Sequence, residues 1–412
     1  MSFKKSVVGF AKSATVLAVL TGSVATLTSM VLAPAAVAAD KKQQLTSKMK
    51  PLGEAQKLMQ EKKYKEALAV ITSQVDPIQG KNEYETQVTN DMRLYCLRMS
   101  NDFPGLIKAL ENMLQANQVP AGEIAARQED IADSAFIAKD YAKVIQYAEL
   151  ILKGQPSNTK MIDMVARSYY LKEDYKSSAE NFTKLLKYKE DKDTYAYLMS
   201  AYAKMDNKAG VVSTLEKKLA KFPAQEDWKN MFKYMKGEAS YSEREQIEIF
   251  RLQKTMGILS AEDHVGLAEL AMAMTDPGDA KAALEAGIGA GVIKADERTN
   301  KLLNLAKSQA AADLGSLDAV AKEAANKPDG TALAKVGLAY LGHGQYDKAA
   351  AALQTALTKG GLKSADEVQI QLGAAQYFAK KPADAKKAFA AVSDKSKVVR
   401  LARLWTIYMD QK

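Results

Sequence analysis

The chain has 412 residues, 47% of them hydrophobic, 26% charged and only 7% aromatic, a composition that excludes a disordered or membrane-embedded protein. A single core of this size would be unusual, so several domains or an array of repeats is expected. The formal net charge of +9 falls to +6 without Lys4, Lys5 and Lys12, and the remaining basic residues are interspersed with acidic ones. No block is suited to tracking a phosphate backbone, so nucleic acid is not an expected partner.

The first predicted element is a leader. MSFKKSVVGFAKSATVLAVL opens with a basic segment, no charged residue occurs from Ser13 to Ala39, and the stretch ends in APAAVAAD. Small residues at Ala36/Ala38 or Val37/Ala39 suit signal-peptidase cleavage near Ala39–Asp40. Residues 1–39 are therefore expected to be a signal peptide directing export to the periplasm of a Gram-negative bacterium. The alternative is an uncleaved N-terminal anchor in the inner membrane facing the periplasm, because the apolar stretch is long enough to span a bilayer. The one cysteine, Cys96, is far from the leader end, which disfavours a lipoprotein and precludes an intramolecular disulfide. Its setting in RLYCLRM, between apolar helix residues, predicts a buried thiol.

Residues 40–50, DKKQQLTSKMK, read as a flexible basic segment. From there helix follows helix, and Pro77, Pro120, Pro156, Pro223, Pro277 and Pro328 fall between periodic segments. Residues 51–223 form an N-terminal array of helix pairs. Its third to fifth units are anchored by Ile131, Ala132, Tyr141 and Ala148, then Val165, Ala166, Tyr169, Tyr175 and Phe182, then Tyr202, Val211 and Leu215. Residues 224–260 depart from the pattern and read as an irregular helical junction, with Trp228, Phe232, Ile247 and Phe250 as apolar anchors. Ser242/Glu245 and Ser260/Asp263 signal new helix starts there. Residues 261–412 form a C-terminal array. It contains an Ala-rich polar helix pair in RTNKLLNLAKSQAAADLGSLDAVAKEAA, a well-formed unit at Leu333–Leu357, a last unit with Leu372, Gly373, Ala385 and Phe389, and a final helix. That helix places Leu401, Leu404, Trp405 and Tyr408 on one face to cover the last repeat. Arg400 and Arg403 leave a membrane-surface role for it as the minor reading.

LAKVGLAYLGHGQYDKAAAALQTAL, Leu333–Leu357, shows the pairing most clearly. Gly337 and Ala349 are small enough for two helices to cross closely, Val336, Tyr340, Tyr346, Leu353 and Ala356 supply the apolar stripe, and Gly344 ends the first helix with Tyr346 packed back over it. This spacing resembles the tetratricopeptide repeat, and the likeness extends over about three-quarters of the mature chain. The resemblance implies an all-α fold: an α-solenoid of antiparallel helix pairs, a TPR-like superhelix, capped by the C-terminal helix. Ala166, Tyr169, Tyr175, Gly337, Tyr340, Tyr346, Ala349, Gly373 and Ala385 take the repeat-packing positions. In such an array the first helix of each pair lines a concave groove, and the register places Glu129, Asp133, Phe136, Asp163, Arg167, Tyr170, Tyr197 and Lys204 towards it as candidate partner-binding residues. With coupling only between neighbours, overpacking Gly337 or Ala349 is expected to fray the C-terminal repeats first.

Chemistry finds little support. His264 and His343 lack a metal-ligand partner spacing, His343 is expected to be an exposed residue of an interhelix turn, and no strained nucleophile turn occurs. The GIGAG run at Gly287–Gly291 follows a helix and has no Lys-Ser or Lys-Thr after it, so it reads as a flexible helix C-terminus. No metal, no cofactor and no catalytic residue is expected. The chain also looks like exported proteobacterial repeat proteins of uncertain function. That likeness implies a non-enzymatic scaffold or adaptor for a protein or peptide in the cell envelope, in TonB-type energy transduction, outer-membrane assembly, cell-wall synthesis or pilus machinery. The other readings are a glycan- or cell-wall-active enzyme on a helical-repeat scaffold, and an N-terminally anchored form of the scaffold.

Overall fold

The computed structural model describes residues 45–237 and 241–412. The leader expected at 1–39 and residues 40–44 of the basic segment lie outside them. The chain falls into two compact units, one ending at Pro156 and the other spanning Ser157–Lys412. Among the described residues every regular element is helical.

The first unit stacks three antiparallel pairs: α1 (Lys50–Gln60) with α2 (Tyr64–Val70), α3 (Glu83–Met99) with α4 (Phe103–Gln115), and α5 (Ile124–Ala138) with α6 (Tyr141–Gly154). Its first core joins Leu52 and Ala55 of α1, Ala67 of α2, Ile71 and Val75 of the π-turn that follows, and Met92 and Cys96 of α3. Cys96 is fully buried, and burial pushes its thiol up to about 11. The chain entering α1 is held in place from Thr46 onward. Glu85 closes a capping box with Asn82, and its carboxylate also accepts from the Thr46 hydroxyl at 2.5 Å and the Thr46 amide at 2.9 Å. The hydroxyl bond is the main reason its pKa falls to about 2, against the opposing effect of burial.

The second unit continues with α7 (Thr159–Leu171) and α8 (Tyr175–Leu185), α9 (Lys192–Lys204) and α10 (Lys208–Lys221), α11 (Gln225–Lys236) and α12 (Glu243–Met256), and α13 (Ala261–Ala273) and α14 (Pro277–Gly289). After these come α15 (Glu297–Ala325), α16 (Thr331–Gly342) with α17 (Tyr346–Lys359), α18 (Ala365–Phe378) with α19 (Pro382–Ala390), and the terminal α20 (Val399–Asp410).

In most pairs a residue at positive φ ends the first helix and the second starts two residues later. In three of them the residue between is an Asp cap and an aromatic starts the second helix. Asn101-Asp102-Phe103, Lys139-Asp140-Tyr141 and Glu173-Asp174-Tyr175 follow this rule. The cap carboxylates accept from the amides of Gly105, Lys143 and Ser177 at 2.9–3.1 Å. Gly344, at φ +75°, takes the first place in the Leu333–Leu357 unit, as the sequence predicts. The crossing in that unit is also as tight as expected: a Cβ on Gly337 would lie 2.6 Å from Leu353 Cγ, and Ala349 is fully buried.

Two elements differ from the sequence reading. The expected Ala-rich helix pair is one 29-residue helix, α15. No proline or cap interrupts it, and its buried residues Ala306, Ala310, Leu317 and Ala324 form a single stripe. Its first half packs on α13 and α14 and its second on α16. Beside it α14 and α16 touch directly, because Gly278 and Gly342 meet: a Cβ on Gly278 would lie 2.8 Å from the Gly342 carbonyl carbon.

The terminal helix α20 covers the last pair, with fully buried Trp405 stacked on Phe389 at 5.5 Å, but it also reaches back to much earlier helices. Arg403 Nη1 lies 3.1 Å from Glu216 Oε1 on α10, Gln411 donates to the Leu219 carbonyl at 3.0 Å, and Tyr408 donates to the Thr255 carbonyl at 3.2 Å. Arg400, at 3.7 Å, shares the Glu216 carboxylate, so both arginines face protein. One apolar core consequently joins Leu215, Trp228, Phe232 and Leu252 to Leu353, Phe389 and Trp405.

This closure changes the expected response to overpacking. Gly337→Leu should cost about 1–3 kcal/mol, because Leu353 cannot withdraw from a crossing whose next contact is backbone. Hydrogen exchange should then accelerate in α10–α12 together with α16–α20, and exchange confined to α18–α20 would show that the shared core is not cooperative.

Candidate protein-binding surface

Two first helices of the second unit, α7 and α9, carry a half-buried strip. Their registers are set by side-chain caps: Asn158 accepts from the Met161 amide at 3.2 Å and Asp191 from the Thr194 amide at 2.8 Å. Met161, Ile162, Val165 and Ala166 turn inward on α7, which leaves Asp163, Arg167 and Tyr170 on the face towards α9 at i, i+4 and i+7. Arg167 Nε donates to Asp163 Oδ2 at 2.7 Å, its Nη1 donates to the Tyr197 hydroxyl at 3.0 Å, and its guanidinium carbon lies 4.5 Å from the Tyr197 ring centre. Tyr197 stacks on the fully buried Phe182 at 5.3 Å. Tyr170 meets Tyr175 and Tyr197 edge-on at 5.4 and 5.8 Å and shares a 2.6 Å hydrogen bond with Ser200. Burial pushes the Arg167 guanidinium down, but the Asp163 carboxylate outweighs it and holds the group above its ordinary value; burial raises the Tyr197 hydroxyl.

The structure thus brings together Asp163, Arg167, Tyr170 and Tyr197. Lys204 stands exposed two turns beyond Tyr197 on α9. In the first unit Glu129, Asp133 and Phe136 lie half-buried on α5, and Phe136 meets Tyr141 edge-on at 6.0 Å. Glu129, Asp163 and Tyr197 are successively 34 residues apart, as are Phe136, Tyr170 and Lys204, so these positions are one repeat place seen again. Of the repeat-packing residues, Ala166, Ala349 and Ala385 are fully buried, Tyr340 is 4% exposed, Gly337 and Gly373 are buried, and Tyr169, Tyr175 and Tyr346 are half-buried.

Two charge clusters escaped the sequence reading. Between α3 and α5, Arg98 reaches Asp130 at 3.1 Å, while Arg127 lies 3.6 Å from Asp130 and 4.0 Å from Asp91. Burial raises the Asp91 carboxyl, with Arg127 opposing. The second cluster is buried between α12 and α14. Arg251, 3% exposed, donates from Nε to Glu248 at 2.9 Å and forms a bidentate pair with Asp279, Nη1 to Oδ1 at 2.9 Å and Nη2 to Oδ2. Asp276 belongs to the Thr275-Asp276-Pro277 turn, the place where Asp102, Asp140 and Asp174 cap their helices, yet it makes no capping hydrogen bond and is buried instead. Its nearest cation is Arg244, at 3.8 Å. Burial first, then the adjacent Asp279, pushes the Asp276 carboxyl well above the ordinary range. For Asp279 burial acts upward too, but Arg251 and Lys254 outweigh it and hold the carboxyl low.

His264 is buried, with Nδ1 2.9 Å from the Ala283 carbonyl, and burial pushes its imidazole down. His343 is not the exposed turn residue that the sequence suggests: its side chain is 6% exposed and Nε2 lies 2.7 Å from Asp313. The GIGAG run ends α14, with Gly287 packed on Ile293 and His264 and Gly291 at φ +68°. Among the described residues no group of three or more His, Cys, Asp and Glu side chains is arranged to hold a metal, and no helix is long and apolar enough to cross a membrane.

No protein-family model matches the chain, and no curated protein matches it. Solved structures similar to it include the C-terminal part of a TPR repeat-containing protein from Cytophaga hutchinsonii, at 14% identity and TM-score 0.33, covering 61% of this chain and 99% of that one. Another is a tetratricopeptide repeat protein from Parabacteroides merdae, at 10% identity and TM-score 0.32, covering 64% and 100%. A third is the complex of the TPR2AB domain of yeast Sti1 with pHSP90, at 13% identity and TM-score 0.24, covering 71% and 97%. Among the described residues the fold is an all-α stack of antiparallel helix pairs, with a close crossing at Gly337, a recurring interhelix turn and positions that recur every 34 residues.

The buried cluster gives a pH-dependent prediction. Asp276 has its folded pKa raised, so its contribution is present at low pH and lost as pH rises through that value; Asp279 has a depressed folded pKa, so its contribution is lost as pH falls through it. Asp279→Asn should cost about 3–5 kcal/mol at neutral pH, because it leaves Arg251 buried with an incomplete partner set. Asp276→Asn should be neutral or stabilising there, with an advantage over the unmodified protein that grows from pH 5 to pH 8. Urea midpoints across that range check both signs, and a cost for Asp276→Asn that increases with pH would overturn the assignment.

Proposed function

We propose that this protein is a non-enzymatic scaffold that holds a protein or peptide segment on the first-helix face formed by α7 and α9. The observation that carries this reading is the strip itself: Arg167 is fixed between Asp163 and Tyr197, and the rings of Tyr170 and Tyr197 are braced on Phe182 and Tyr175 while remaining half-exposed. Rings held in advance offer contact area at small entropic cost, and Arg and Tyr are residue types that dominate binding energy at interfaces. Lys204, exposed at the end of the same face, adds a charge that can set the partner's register.

The leader read from residues 1–39 supports export, so the partner proposed is a protein of the cell envelope, and the task proposed is assembly or regulation of an envelope complex. A photo-crosslinking residue at Lys204 of the full chain, expressed in cells, should capture a discrete envelope protein. Arg167→Ala or Tyr170→Ala should reduce capture about tenfold, equivalent to about 1.4 kcal/mol. Capture at background level, or capture indifferent to both substitutions, would overturn the reading. Intact mass of the mature protein tests the location separately: loss of the first 39 residues supports a cleaved periplasmic form, and retention supports the anchored one.

A further inference from the structure

Away from the strip, α12, α14 and the turn between α16 and α17 line an open cleft of about 340 Å³, within the size range of small-molecule sites. Its floor is the Arg251–Asp279 pair, whose hydrogen bonds are turned on one another. Beside the floor stands Lys254. Its side chain is 20% exposed and its Nζ is 3.7 Å from Asp279 Oδ1, beyond hydrogen-bonding distance. Burial pushes the Lys254 ammonium down, against the pull of Asp279, so an added carboxylate would relieve a poorly solvated charge. Charge in the lining is unequal: Arg251, Lys254 and Lys281 face Asp279 and Glu285, and Glu285 also lies 3.4 Å from Lys307.

The lining also has an apolar part. Tyr346 and Phe378 stack at 5.0 Å, and Leu341 and the 43%-exposed Leu314 of α15 line the same cleft. Gly342 and Gly344 line it without side chains. His343, held by Asp313, fixes the rim. A group entering here meets both an ammonium and aromatic rings.

We propose that this cleft is a binding site for a small free carboxylic acid with an aromatic or branched apolar body, its carboxylate on Lys254 with Lys281 and its apolar part against Tyr346 and Phe378. The site is separate from the α7–α9 strip, and neither proposal depends on the other.

The test uses the full chain and phenylacetate as probe, followed by saturation-transfer NMR and calorimetric titration. Phenylacetate should bind saturably, and its neutral isostere phenylacetamide at least about tenfold more weakly. Lys254→Met and Phe378→Ala should each weaken phenylacetate about tenfold. Should either fail to keep the parent's far-UV circular dichroism and urea midpoint, Lys281→Gln, nearer the solvent, supplies the same comparison and should also weaken the acid and not the amide. Absence of saturable phenylacetate binding, equal affinity for acid and amide, or affinity unchanged by every folded variant would overturn the proposal.

Discussion

One buried ion pair constrains how the helices of the second unit meet. A guanidinium withdrawn from water is tolerable only where carboxylates surround it, and Arg251 of α12 finds Glu248 on its own helix and Asp279 on α14. Apolar packing is non-directional, whereas a bidentate pair fixes distance and rotation together. The pair therefore ties α14 to α12 directionally where the repeat pattern is weakest, while α13, α15 and α16 supply the main helix packing of α14. α14 in turn meets α16 directly, Gly278 against Gly342. Asp276 is the residue left over: a helix cap turned inward, whose charge the cluster has no room for.

Closure by α20 then makes the unit something other than a row of neighbours. A helix that begins at Val399 shares a core with Leu215 and Leu219, and its side chains bond to α10 and α12. In an open array the terminal repeat has a single neighbour and frays independently. Here the terminal helix touches two earlier ones, so its loosening exposes apolar surface on α10–α12 as well. Such coupling favours one cooperative transition over progressive unravelling.

Local devices were legible in the sequence, and long-range ones were not. The capping box at Ser242/Glu245, the turn at Gly344 and the crossing at Gly337 each need only a few consecutive or periodic residues, and each is found in the structure. The 34-residue recurrence similarly led to Asp163, Arg167, Tyr170 and Tyr197, which meet in space. Arg251, Glu248 and Asp279 gave no comparable sign, because a charged residue on an amphipathic helix is ordinarily solvated, and only the packing of α14 against α12 removes the water. Asp276 carried no usable signal either: in sequence it reads as an ordinary cap residue beside a proline, and only the missing capping bond in the structure reveals its burial. Contacts such as Gln411 to Leu219 span about 190 residues and leave no periodic trace. For α15, composition misled: alanine and polar residues suggest two short helices, yet nothing between Glu297 and Ala325 breaks one.

These differences separate framework from surface. The Arg251 cluster and the α20 closure consume their polar groups internally, and their positions are fixed by burial. The α7–α9 strip uses the same chemistry with less burial: Arg167 is also paired with a carboxylate, but its side chain remains 16% exposed and aromatic faces surround it. Because Asp163 already neutralises Arg167, charge attraction there is short-ranged, and the partner proposed for the strip would gain its affinity mainly by covering the rings. Preorganisation sharpens that gain. Tyr197 is stacked on a core phenylalanine and Tyr170 is hydrogen-bonded to Ser200, so little rotameric freedom remains to be lost on contact. Lys204, unlike them, projects from the end of the helix, and its longer-range field can orient an incoming segment before the rings are covered.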